Sequence, residues 1–176
     1  MDIVPYIYLK DHWSIPYDSI KNIWGKMVEE KTVEIVFCTG TVKTFDQFYA
    51  FLQNPKNCVL TIWDKREIVF IGWLNNFNLN SASAHFNCFK KVWGQNKIGS
   101  VEVGKTALKY WFGFKSIDTI IGTVPDDNPR AINMVKKCGA EVIGIIPNYS
   151  TNIYTNKKIG ATILFFERGA AWVSAE

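Results

Sequence analysis

IDTIIGTVPDDNPRAINMVKKCGAEVIGII, residues 117–146, changes its periodicity twice. Ile117 to Val124 is rich in β-formers and almost wholly apolar, as a central strand covered on both faces is. Pro125-Asp126-Asp127-Asn128-Pro129 then supplies a turn and a helix start. Ala131, Ile132, Met134, Val135 and Cys138 recur at helical spacing until Gly139 ends the helix. Glu141 to Ile146 returns to strand. A strand, a helix and a strand in this order put the chain in the mixed α/β class.

Outward from this unit the mixture continues. Upstream, Val101, Gly104, Ala107, Leu108, Trp111 and Phe112 share one stripe of a helix that Ser100 is placed to cap. Before it come three strands in series, Cys58 to Trp63, Glu67 to about Phe77 and Ser81 to Phe89. The polar turns Asp64-Lys65 and Asn78-Asn80 separate them, so the spacing predicts an antiparallel meander. Lys90 to Gly99 reads as a basic loop bounded by glycine. Nearer the N-terminus, an irregular opening leads into a helix from Pro16 to about Glu30, and Thr32 to Cys38 alternates around Val33, Ile35 and Phe37 as a strand does. Thr44-x-x-Gln47 has the form of a capping box opening a short helix over Phe45, Phe48, Tyr49 and Leu52. Downstream, strands at about Glu141 to Ile146 and Ile159 to Glu167 flank the polar stretch Pro147 to Lys158. The predicted order is α-β-α-β-β-β-α-β-α-β-β. No repeat, low-complexity tract or linker divides residues 1–176, so a single domain is expected.

Of the 176 residues, 48% are hydrophobic, 15% aromatic and 20% charged, which excludes whole-chain disorder and suits one sizeable core. Seven Trp, seven Tyr and twelve Phe are a surplus that either fills that core or lines a concave surface. The net charge of +4 is too small an excess to predict a phosphate-backbone binder, so nucleic acid is not an expected partner, while a small anion fits. The longest nearly apolar run, Ile68 to Leu74, is far short of the roughly 20 residues of a spanning helix, so no membrane partner is expected. An acid at position two and no basic-then-apolar opening argue against a secretory signal, and the cytoplasm is the expected location. Cys38, Cys58, Cys88 and Cys138 form no C-x-x-C and have only His12 and His85 for company. They are expected to be reduced, mostly buried thiols, with no metal site.

The strand-loop-helix from Ser81 to Phe112 is the first place for chemistry. A loop entering a helix N-terminus turns backbone N–H groups and a positive dipole end outward, an arrangement that binds phosphate. Lys90, Lys91, Lys97 and Lys105 add charge around it, while Glu102 in the first turn opposes an anionic guest. The plain alternative is a solvated connection with scattered lysines.

In the second place, Asn128, Ala131, Met134, Lys137 and Gly139 have the spacing of a motif found in the GNAT superfamily of acyl-CoA-dependent N-acyltransferases. Gly104-Lys105-Thr106-Ala107-Leu108 also resembles the opening of that family's cofactor-binding helix, and the element order is similar to the family's across about residues 57 to 167. The resemblance implies a GNAT-like α/β fold, a central sheet of mixed antiparallel and parallel strands flanked by helices. It implies an N-acetyltransferase that passes an acetyl group from acetyl-CoA directly to a primary amine, on a small molecule or a protein, without metal. Carried over position by position, it implies cofactor contacts at Cys88, Phe89, Lys97, Gly99, Ser100, Val103, Gly104, Lys105, Asn128 and Ala131. A homodimer is one assembly compatible with it. The compact lysine-rich chain is also similar to small acetyltransferase-like proteins of bacteria and their phages.

Two positions depart from the family pattern. In the cofactor loop's Q/R-x-x-G-x-G/A, Gly99 stands for the Gln or Arg and Glu102 for the first glycine, leaving Gly104 as the match. Backbone donors do not depend on side-chain identity, so pyrophosphate binding survives if Glu102 points away. Val135 aligns with the tyrosine that protonates the departing thiolate in many members, and valine donates no proton. The transfer needs alignment, a donor for the carbonyl oxygen and removal of a proton from an amine of pKa about 10.4. A main-chain N–H near Cys88 and Phe89 is the expected donor. His85 on the same strand is the candidate base, since its ordinary pKa lies near working pH, and Asn87 shares its face. Tyr149 and Tyr154 are candidates to replace the missing acid, and Trp93 is a candidate ligand contact. Glu102 and Val135 keep a second class open, a GNAT-fold binding or structural protein without turnover that engages a macromolecular partner.

Overall fold

The computed structural model describes residues 1–92, 99–114 and 116–169. In chain order its elements are β1 (Asp2–Tyr6), β2 (Tyr8–Leu9), β3 (His12–Trp13), α1 (Tyr17–Glu29), α2 (Val33–Val36), α3 (Phe45–Leu52), β4 (Cys58–Asp64), β5 (Glu67–Asn78), β6 (Ser81–Cys88), a single 3₁₀ turn (Lys90–Val92), α4 (Ser100–Phe112), β7 (Thr119–Pro125), α5 (Pro129–Lys137), β8 (Glu141–Asn152) and β9 (Lys157–Glu167). Seven strands form one sheet in the order β1-β4-β5-β6-β7-β9-β8, and β2 with β3 makes a small separate hairpin. Neighbours in the large sheet are antiparallel except β6 and β7, which α4 connects and which are parallel.

Each face of the sheet has its own core. Leu60, Phe70, Val103, Trp111, Ile120 and Leu164 belong to the face under α4 and α5. Ile20, Ile23, Met27, Phe48, Ile71 and Trp73 belong to the face under α1 to α3. The spacing of Ile20, Ile23 and Met27 on α1 is the i, i+3, i+7 stripe of a helix buried on one side. Each fully buried Phe or Leu here contributes about 1.5–3 kcal/mol of burial. Most of the aromatic surplus is spent in these cores: Phe37 stacks on Trp73 at 5.6 Å, and Phe51 meets both edge-on. Thr44 caps α3 as the sequence predicts, its Oγ1 accepting from Gln47 N at 3.3 Å. Arg168, just past β9, ties α4 to β7: it pairs with Asp118 at 3.0 Å and donates to the carbonyls of Phe112, Phe114 and Ile117. No helix among the described residues is long and apolar enough to cross a membrane.

Four elements differ from the sequence expectations. The irregular opening contains β1, which pairs along β4 from Asp2↔Trp63 to Tyr6↔Val59 as an edge strand. Thr32 to Cys38 holds the short helix α2 instead of a strand. Val36 N and Phe37 N donate to the carbonyls of Thr32 and Val33, and the buried pair is Val33 with Phe37, four apart, while Ile35 is 47% exposed. The apolar alternation there was half of a helical stripe. The polar stretch after Ile146 is largely strand: β8 continues to Asn152 and β9 starts at Lys157, paired through Ser150↔Ile159 and Asn152↔Lys157 past an irregularity between Ile146 and Ser150. The cap of α4 is Gly99, with Ser100 already inside the helix.

Candidate active site

β6 and β7 pair only from Ser81↔Thr119 to Ala84↔Gly122. Beyond that point β6 continues to Cys88 and β7 to Pro125, so the strands part and leave a gap in the middle of the sheet. A cavity of about 600 Å³ runs through it. Under α4 and α5 its wall includes Gly104, Leu108, Trp111, Ala131, Met134 and Val135; under α2 and α3 it includes Thr32, Phe37, Phe51, Trp73 and His85. The cavity thus connects the two faces of the sheet.

Main-chain direction along β6 follows from one bond. Phe89 N donates to Val69 O of β5 at 3.1 Å, so alternation turns the N–H groups of His85 and Asn87 toward β5 and that of Phe86 toward the gap. Phe89 is fully buried and its N–H is occupied, so near the end of the strand the N–H groups turned to the gap are those of Phe86 and Cys88. Cys88 is buried against Met134, Sγ to Sδ 3.8 Å, and burial raises its thiol far from reactivity.

At α4, the capping position Gly99 carries no side chain, and no side-chain oxygen among the described residues caps the helix. Among the described residues nothing lies within 4 Å of where a Cβ on Gly99 would stand. Ser100 lies in that turn and Glu102 is exposed on it. Val103 is wholly in the core, Gly104 borders the cavity, and half-buried Lys105 sits near Cys138, whose thiol burial pushes up to about 11 against that charge. Lys97 and Trp93 lie outside the described residues. At α5, Asn128 Oδ1 accepts from Ala131 N at 3.2 Å, and both residues border the cavity. Asn128→Ala is expected to cost about 1 kcal/mol in chemical denaturation through loss of this cap. An unchanged midpoint would remove the cap from its role.

On the opposite side, His85 stacks on Trp73 at 5.6 Å, and its Nε2 is 3.2 Å from Asn75 Oδ1. With that oxygen accepting, Nε2 carries the proton and Nδ1 keeps its lone pair. Burial lowers the imidazole pKa below its usual 6.5, so the ring is neutral at pH 7. Tyr149 borders the cavity, turned by the irregular segment of β8, whereas Tyr154 sits beyond it in the β8–β9 turn. That turn is tied to the segment after α2, because Ile153 N donates to Cys38 O at 2.9 Å and the left-handed Gly40 passes directly beneath Ile153.

Two buried donors border the cavity on opposite faces of the sheet, Asn87 Nδ2 and Trp111 Nε1, and neither has a partner among the described residues. Two further polar groups in the wall, Glu30 and Arg130, escape the sequence reading. Arg130 had a signal, since a cation in the first turn of a helix opposes the dipole and so serves something else. Glu30 had none, because it meets the site only through the fold, where its Oε2 accepts from Lys90 N at 2.8 Å. Among the described residues no group of three or more His, Cys, Asp or Glu could hold a metal.

No family model matches this sequence, and no curated protein does. Solved structures do match by shape. The spermidine N-acetyltransferase from Vibrio cholerae in complex with CoA and spermine aligns at TM-score 0.72 with 13% identity, over 89% of this chain and 94% of that one. A ribosomal-protein-alanine N-acetyltransferase from Brucella melitensis aligns at 0.68 with 12% identity, over 88% and 97%. The microcin C7 self-immunity acetyltransferase MccE, in complex with acetyl-CoA and AMP, aligns at 0.68 with 12% identity, over 86% and 88%. At such identities the likeness speaks for the fold. The chain has the GNAT acetyltransferase fold that its motif resemblance implies.

Proposed function

We propose that this protein is an N-acetyltransferase that binds acetyl-CoA on the α4/α5 side of the gap and delivers the acetyl group to a primary amine entering from the α2/β8 side. The observation that carries the reading is the through-going cavity at the parted ends of β6 and β7, flanked by the side-chain-free start of α4. It is supported by the likeness to folds solved with CoA and acetyl-CoA.

The residues on the α4/α5 side fit the cosubstrate. The first-turn N–H groups of α4 at Gly99 and Ser100 would take the pyrophosphate, with Lys105 adding charge. Trp111 Nε1, buried and without a partner among the described residues, would donate to an amide carbonyl of the pantetheine arm. Acetyl-CoA supplies an activated thioester carbon. The N–H of Phe86 or Cys88, both turned to the gap, would donate to its carbonyl oxygen as negative charge gathers there. His85 Nδ1 accepts the amine proton as the new bond acidifies it, so a neutral, weakly basic imidazole suffices. Tyr149 rather than Tyr154 is our candidate to return a proton to the thiolate, since Tyr149 borders the cavity and Val135 cannot serve.

Acetyl-CoA at about 100 times its Kd should stabilise the protein by about 2.7 kcal/mol, a melting shift of about 5–10 °C for a chain of this size. Free thiol should then appear when a suitable amine is added. No shift at saturating acetyl-CoA would remove the cosubstrate and with it the enzyme. A shift without thiol release across small amines and peptides favours the second reading, a binding protein without turnover, which Val135 in the cavity wall supports.

A further inference from the structure

The acceptor class follows from the half of the cavity that acetyl-CoA does not use. Asn87 is 4% exposed, lies in the cavity wall, and its Nδ2 has no partner among the described residues. A buried donor is rarely left unsatisfied in a working protein, so an acceptor atom belongs opposite it. Asn87 is two residues from His85 on the same face of β6, which separates their Cβ atoms by about 7 Å. A nitrogen held at His85 Nδ1 and an oxygen held at Asn87 Nδ2, each at about 3 Å, then lie only a few ångströms apart. That separation fits an oxygen three bonds from the amine nitrogen.

The surrounding wall limits the rest of the molecule. Phe37, Phe51 and Trp73 form a continuous aromatic surface beside His85. Among the described residues Glu30 is the one carboxylate bordering the cavity, and its Oε2 already accepts from Lys90 N. One acid suits one ammonium group, whereas an acceptor with several would need more. We infer that the acceptor is a monoamine with an apolar body and a neutral carbonyl or hydroxyl oxygen three bonds from the nitrogen, as in an amino-acid amide, and that Asn87 recognises that oxygen. The inference rests on the acetyl-transfer reading above, and the test separates the two.

Phenylalaninamide, phenethylamine and spermidine would be titrated calorimetrically into the full chain saturated with CoA, and thiol release would be followed with acetyl-CoA. Phenethylamine has the ring and the amine of phenylalaninamide without its oxygen. The expected result is that phenylalaninamide binds at least about tenfold more tightly than phenethylamine, the worth of one hydrogen bond to a buried donor. Asn87→Leu and Asn87→Ala should abolish that preference and leave the Kd of phenethylamine within about twofold. Asn87→Leu should melt no lower than the parent, since it removes an unsatisfied donor at nearly equal size. Equal affinities in the parent protein would overturn the inference with no variant needed, and so would tightest binding of spermidine. A variant that weakens both aromatic amines equally would also overturn it, leaving Asn87 a structural residue or the site of a bound water only. Selective binding of phenylalaninamide without thiol release would instead overturn acetyl transfer and uphold the recognition.

Discussion

His85→Gln is expected to lower kcat by about 10²–10³-fold, the scale of a lost general base, while leaving the acetyl-CoA melting shift intact. Glutamine keeps the size and a donor for Asn75 Oδ1 but has no titratable lone pair. The pH profile carries the sharper test. Burial lowers the His85 pKa below 6.5, so the neutral, proton-accepting ring persists to lower pH than for an exposed histidine. The acid limb of kcat/KM should therefore fall below 6.5 in the parent and vanish in the variant. Stability follows the same group. Its contribution is full above the unfolded pKa of about 6.5 and is lost as pH falls from there through the depressed folded value, since the unfolded chain takes up the proton first. Denaturation midpoints at pH 5 and pH 8 should converge in His85→Gln relative to the parent. A kcat within threefold of the parent and an unchanged acid limb would assign the proton to water or substrate.

Gly104→Val is expected to destabilise the fold by about 3 kcal/mol, lowering the melting point by about 6–12 °C. A Cβ at this position would stand 2.7 Å from Cys138 Sγ and 2.8 Å from Met134 Cε, both packed in the core beneath α4 and α5. The methionine tip can swing away. Cys138 is held, with Sγ directed at Val101 O at 3.6 Å, so the helices themselves must separate. The glycine that the cofactor-loop resemblance singles out therefore has a packing duty independent of phosphate. Gly104→Ala together with Cys138→Ala should recover much of the cost of Gly104→Ala alone, as a shared cavity requires. If the valine variant melts like the parent while losing the acetyl-CoA shift, the glycine serves the ligand and not the helix contact.

The elements that the sequence revealed are those whose signals are local. Asn128 ahead of Pro129, Gly139 after Cys138, and Thr44 three residues before Gln47 mark helix ends by their own hydrogen bonds, and the meander from β4 to β6 shows in alternation and turn residues. What depends on a distant partner stayed illegible. β1 is a strand because β4 offers an edge, and α2 is a helix because no strand among the described residues pairs along Thr32 to Cys38 while Val33 and Phe37 reach one core. The length of β8 comes from pairing with β9 across residues that read as a polar loop. The site divides in the same way. His85, Asn128 and Ala131 border the cavity, whereas Phe89 and Val103 are core, because a one-residue step along a strand or helix exchanges cavity for interior. Glu30 arrives from α1 by tertiary folding alone.

The brief pairing of β6 with β7 also has a meaning for how the chain is assembled. Residues up to Val92 supply β1 to β6 and α1 to α3; residues from Gly99 onward supply everything else, so the backbone crosses between the two groups once. Their strand pairing is the register from Ser81 to Ala84, and beyond it α4, the Cys88–Met134 contact and the Ile153–Cys38 hydrogen bond join them. The molecule is thus two consecutive lobes whose strands pair at one end of β6 and part at the other. A guest lodged in the opening touches both lobes, so its binding energy is at the same time lobe-to-lobe docking energy. An inert molecule that spans the opening would bridge the lobes in the same way as a reacting one.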